Sequence, residues 1–174
     1  MSKLVLKRFR CNTESDEWGD DSPHFLIFHG KRGQNGSPTT SNVELVRRSA
    51  WDDTVAEGDL VNANVTVLNP LSADLVLVAM MEEDWDADFT GLTLARLRGW
   101  ICPFFNSLAS SVAFIDSTVA TLILDEYRRG INALRSNDEV LGVKKLSLSA
   151  TNGQLPLLKF TGDGSNYDVR FTLE

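Results

Sequence analysis

Histidine and cysteine are scarce in this chain, two of each among 174 residues. His24 and His29 stand at no spacing that would pair them on zinc, and Cys11 and Cys102 make no thiolate ligand pattern. Two cysteines this far apart make no disulfide framework either. Their scarcity predicts a reducing, cytoplasmic setting in which both thiols act as small apolar side chains. Basic charge is also short: 17 lysines and arginines face 24 aspartates and glutamates, for a net charge of −7. A nucleic-acid binder needs a basic face to release counterions from phosphates. The balance argues against nucleic acid and suits a protein that attracts cations or basic partners.

Catalytic signatures are missing. There is no G-x-S-x-G, no H-E-x-x-H, no phosphate loop and no dinucleotide fingerprint. "GKRGQNG", residues 30–36, has three glycines but no following helical pattern and no lysine where a phosphate loop needs one. Carboxylates abound, yet no pair stands out as acid and base. The chain therefore reads as a non-enzyme. No signal peptide opens it, because "MSKLVLKRFR" holds only a three-residue apolar run. The longest apolar stretch is "ICPFFNSLASSVAFIDSTVATLIL", residues 101–124, with fifteen apolar residues in twenty-four. Its length would span a bilayer. Asp116, Asn106 and Pro103 interrupt it, and a charge near the centre of a span costs about 2.5–3.5 kcal/mol. A helical hairpin packed on the rest of the protein is expected, and no transmembrane segment.

What is present is mostly strand-like. "KLVLKRF", "HFLIFHG", "NVELVRR" and "LVNANVTVL" precede residue 70, the last with Val61, Ala63, Val65 and Val67 on one face. "KRGQNGSPTTS" reads as a long hairpin loop. "ADLVLVAMMEED" is almost continuously apolar, as a central strand buried on both sides would be. Residues 91–136 then lose the period of two. Ala120, Ile123, Tyr127, Ile131 and Leu134 fall at helical spacing, and the segment before them is also helical, with an interruption near Pro103. After residue 142 the strand period returns in "VKKLSLS", "LPLLKF" and "NYDVRFTL". The fold expected over residues 1–174 is an antiparallel β-sandwich with a helical insertion of two or three helices at 91–136.

Three acidic segments lie at the ends of expected strands: "SDEWGDDSPHF" at 15–25, "EEDWDADF" at 82–89 and "SNDEVLG" at 136–142. A β-sandwich gathers alternate loops at one end. If these three share an end, Asp16, Asp20, Asp21, Asp84, Asp86 and Asp138 converge, and oxygen-only donors suit calcium. The alternative is three separate solvated loops. Trp18 and Trp85 would flank the site, either as exposed apolar tips or packed against the insert.

The segments resemble the calcium loops of the C-two domain, the second conserved region of protein kinase C. That family's first loop runs D-x-x-G-x-S-D-P-Y after an opening strand. Here Asp16-Glu17-Trp18-Gly19-Asp20-Asp21-Ser22-Pro23-His24 stands in its place, with serine and aspartate exchanged at Asp21-Ser22 and His24 for tyrosine. The third loop runs D-x-D, a gap, then D-D-x-I-G. Asp84-Trp85-Asp86 supplies its first part, and Asp138-Glu139-Val140-Leu141-Gly142 its second, about fifty residues later. A competing alignment closes the loop at Asp88-Phe89-Thr90-Gly91. The resemblance implies a calcium site on Asp16, Asp21, Asp84, Asp86 and Asp138, with Asp20 an alternative to Asp21 and Asp88 to Asp138. It implies a module that meets a phospholipid surface or a protein partner. The competing expectation is a metal-independent interaction module, of the toxin-neutralising or adaptor kind, that uses the helical insert as its contact surface.

Overall fold

The computed structural model describes residues 2–14, 22–33, 37–47, 55–82, 91–111, 117–134, 139–162 and 164–174. Along the chain they form β1 (Leu4–Thr13), β2 (Pro23–Arg32), β3 (Pro38–Val46), β4 (Leu60–Val61), β5 (Val65–Leu68) and β6 (Leu75–Glu82). Helices α1 (Gly91–Ser111) and α2 (Ser117–Leu134) follow, then β7 (Glu139–Lys145), β8 (Leu158–Gly162) and β9 (Ser165–Leu173). Sheet one has the order β4-β1-β9-β8, with β5 also paired to β1; sheet two has the order β3-β2-β6-β7. Every pairing is antiparallel. The two sheets pack as a sandwich with a helical insert, as the loss of strand period between 91 and 136 predicts, and the helices lie on the outer face of sheet two.

The first core lies between the sheets. Leu6, Phe9 and Cys11 of β1 and Tyr167, Val169 and Phe171 of β9 meet Phe25, Ile27, Val78 and Met80 of sheet two, all fully buried. Leu6 and Phe9 are three residues apart, which strict alternation would send to opposite faces. A bulge between Leu6 and Arg8 absorbs the extra residue, Lys7, and returns Phe9 to the core. The same irregularity splits "LVNANVTVL" into two strands. β5 pairs with Leu4–Leu6, β4 pairs with Phe9 and Arg10, and between them Asn64 adopts φ 51° and donates its N–H to the Lys7 carbonyl at 3.2 Å. The expected face survives the break, since Val61, Ala63, Val65 and Val67 all pack against the core.

The second core lies between sheet two and the helices. β2 and β6 are apolar on both sides over much of their length: Leu26, Phe28, Leu75, Leu77, Ala79 and Met81 point away from the sandwich interior into this core. The stripe of α2 answers them with Ala120, Ile123, Tyr127 and Ile131, and α1 adds Leu97, Ile101 and Phe105. These side chains of the insert are thereby buried against the sheet. Among the described residues no helix is long and apolar enough to cross a membrane.

Three local expectations change. α1 runs continuously through Pro103. Proline lacks the N–H that would bond the carbonyl four residues earlier, that of Gly99, so the helix continues without that one bond. The hairpin loop is short, because β2 continues to Arg32 and β3 begins at Pro38. β8 begins only at Leu158, after Pro156, which cannot donate to a ladder.

Candidate functional site

The strands that flank the three acidic segments end side by side. Within sheet two, Pro23 at the start of β2 is the Cα partner of Glu82 at the end of β6. Glu82 is in turn the partner of Glu139 at the start of β7. Antiparallel pairing puts the starts of β2 and β7 beside the end of β6, so Pro23, Glu82 and Glu139 make one row across three strands. In the sequence, Asp21 stands two residues before Pro23, Asp84 two after Glu82, and Asp138 one before Glu139.

Sheet one closes over the same end. β1 reaches Thr13, opposite Asn166 of β9, and the next strand in the chain is β2 at Pro23. The turn from β8 to β9 pairs Gly162 with Ser165. Gly162 lies so close to β7 that an added Cβ would stand 2.9 Å from the Leu141 Cα. Any larger residue there would push the β8–β9 turn off the start of β7. Ser165 is buried at this junction.

Two titratable side chains are buried at the row. Glu82 is 8% exposed and His24 is 1% exposed. His24 is the Cα partner of Met81 and shares the helix-side face of β2 with Leu26 and Phe28. Burial, reinforced by the positive charge of Arg47, pushes its pKa from 6.5 down to about 4. A neutral imidazole is therefore buried in β2 beside the row of strand ends. The sequence offered no signal for it beyond its place one residue inside an apolar strand.

Asp16, Asp21, Asp84, Asp86 and Asp138, with the alternatives Asp20 and Asp88, lie outside the described residues, as do Trp18 and Trp85. Among the described residues no group of three or more His, Cys, Asp or Glu side chains is placed to hold a metal ion. His29 is well removed along β2 and is 3.5 Å from Glu44 through Nε2. Both cysteines are free. Cys11 is core, and burial raises the pKa of the half-buried Cys102, against the opposing effects of Ser41 and Arg98, so neither resembles an activated nucleophile. Comparison with protein-family models, with curated proteins and with solved structures finds no match.

Proposed function

We propose that this chain is a calcium-binding β-sandwich module of C-two-like design, which meets a phospholipid surface or a protein partner through the acidic segments at one end. The adjacency of Pro23, Glu82 and Glu139 carries this reading. Neighbouring strands lie about 4.8 Å apart, so the row is roughly 10 Å wide. A chain advances at most about 3.6 Å per residue. Asp21, Asp84 and Asp138 are thus tethered to one short row by links of one or two residues, and Asp16 and Asp86 by links a little longer. Three independent solvated loops would not require their strand ends to adjoin.

The donor set suits a hard cation: calcium takes about 6–8 oxygen ligands, from carboxylates and carbonyls on flexible loops. Sheet two supplies what such loops lack. β6 is buried on both faces up to Glu82, and the close approach of Gly162 fixes the start of β7 against sheet one. The carboxylates would hang from a rigid base and repel one another until a cation offsets their charge. The helical insert is less suited to be the contact surface, because its apolar stripe is spent on sheet two and Leu122 is the large apolar side chain its described residues leave exposed.

Calcium titration followed by melting temperature tests the proposal, with magnesium as the comparison cation. A rise with calcium and little with magnesium is expected. No change at millimolar calcium would leave metal-independent partner binding as the better reading.

A further inference from the structure

The outer face of sheet one carries charge of the opposite sign. β1 presents Arg8 and Arg10 there, and β9 presents Asp168 and Arg170, while the residues between them point into the core. Arg8 is the Cα partner of Arg170, and Arg10 of Asp168. These side chains line a groove of about 300 Å³ that also includes Leu60 of β4 and Leu157 before β8. Leu60 is 41% and Leu157 is 37% exposed, and with Leu122 they are the exposed large apolar side chains among the described residues.

Like charges directly opposite on a ladder are destabilising. Nothing among the described residues offsets this pair. Among the described residues Arg8 and Arg10 make no ion pair or side-chain hydrogen bond, and Arg170 donates to the Leu155 carbonyl, at 3.5 Å. Asp168 is engaged by Lys159 at 3.6 Å, not by Arg10. A chain of net charge −7 thus gathers three guanidinium groups against one carboxylate on this face, with no ion pair to the arginines among the described residues, flanked by two exposed leucines.

We propose that this groove binds a small organic phosphate monoester. Guanidinium forks match the oxygens of a phosphate, and each can bind two at once. A phosphate monoester carries about −1.5 to −2 charge near neutral pH, enough to balance the surplus that Arg8, Arg10 and Arg170 hold over Asp168, where a single carboxylate would leave part of it unmatched. Leu60 and Leu157 then contact the organic body. The volume lies at the lower end of the roughly 300–1,000 Å³ of small-molecule pockets, which favours a compact ligand. The groove belongs to sheet one, whereas the acidic row belongs to sheet two, so this ligand does not depend on a cation.

The test is titration of the full chain with phenyl phosphate at low ionic strength and with a chelator present, read by calorimetry and by chemical shifts of the arginine side chains. Saturable one-to-one binding is expected, with inorganic phosphate competing more weakly and benzoate more weakly still. Arg8→Gln and Arg170→Gln should each weaken binding roughly tenfold or more, the loss of a charge-assisted contact. Without ligand, Arg8→Gln should melt no lower than the parent, because it relieves the Arg8–Arg170 opposition; this separates lost binding from lost folding. The proposal is overturned if phenyl phosphate does not saturate, if Arg8→Gln binds as the parent does, or if only vesicles containing phosphatidic acid are bound.

Discussion

The ring of Phe105 sits directly over Gly30: a Cβ built on that glycine would lie 2.6 Å from the Phe105 Cζ. Phe105 also packs edge-on against Phe28, ring centroids 5.6 Å apart. α1 is thus seated on sheet two by one aromatic ring filling the place of a missing side chain. Gly30→Ala should destabilise by about 1–3 kcal/mol, the usual cost of overpacking a filled core. Phe105→Leu in the same background should recover part of that loss, since the two residues are in contact. Urea unfolding of the four proteins in the cycle checks this, and strict additivity would mean that the seat is not shared.

Arg98 of α1 donates from Nε and Nη2 to the Val43 carbonyl, at 2.9 and 2.7 Å. β3 is the edge strand of sheet two, and this guanidinium occupies one of its outward carbonyls. Arg98→Ala should cost about 1.5–3 kcal/mol, the range for hydrogen bonds to charged groups. It should also increase self-association, because an uncovered edge invites strand pairing. Sedimentation at increasing protein concentration would show it. Arg98→Lys should recover only part of the stability, having lost the fork.

His24 makes stability depend on pH. Its pKa is 6.5 unfolded and about 4 folded, so the unfolded chain takes up a proton that the folded chain refuses. Stability is therefore full above pH 6.5 and falls as pH drops towards 4. The loss attributable to this side chain is about 3 kcal/mol in all, at about 1.4 kcal/mol per pKa unit. Burial lowers the pKa of His29 too, against the pull of Glu44, and adds loss in the same direction. Denaturant midpoints across this pH range, in the parent and in His24→Gln, should differ in slope. Parallel curves would remove His24 as the cause.

Calcium saturating at one hundred times its Kd should add about 2.7 kcal/mol to stability. Asp84→Asn should weaken calcium binding more than substitution of Asp16, Asp21, Asp86 or Asp138, since it stands at the centre of the proposed third loop. In the absence of calcium the same variant should melt higher, having lost one member of a repelling cluster. Calorimetric titration and thermal melts read both effects. A variant that bound calcium as the parent does would remove Asp84 from the site.

The sandwich and its insert were legible because their periods differ. "LVLVAMM" reads as a strand buried on both sides, and β6 is one, between the first core and the helices. The Ala120–Ile123–Tyr127–Ile131 stripe reads as a helix face and packs as one. Local breaks were not legible, because they depend on partners distant in sequence. Asn64 turns only because the Lys7 bulge lies opposite it. α1 likewise runs on through Pro103 because its apolar side is held on sheet two by Leu97, Ile101 and Phe105. The acidic segments were legible in the sequence, but the adjacency of the strand ends that flank them is a matter of register, set by the pairing of β2 and β7 on either side of β6. The arginine groove was hidden for a related reason. Arg8, Arg10 and Arg170 come from opposite ends of the chain, and a negative net charge masks a local positive face.

The insert leaves and re-enters the sheet at adjacent partners, Glu82 and Glu139, so residues 83–138 form a closed excursion from one hairpin. Closing a loop of that length costs entropy that grows only as its logarithm, about (3/2)RT ln n. The helices could shorten or lengthen without moving the strands they hang from. They could not be discarded, because Leu26, Phe28, Leu77, Ala79 and Met81 would become an apolar wall facing water. β6 also makes the two halves cooperative: stripping either layer bares one side of the same strand. The amide hydrogens of Val76–Met81 should thus exchange only through global opening, and sandwich and helices should melt as one unit.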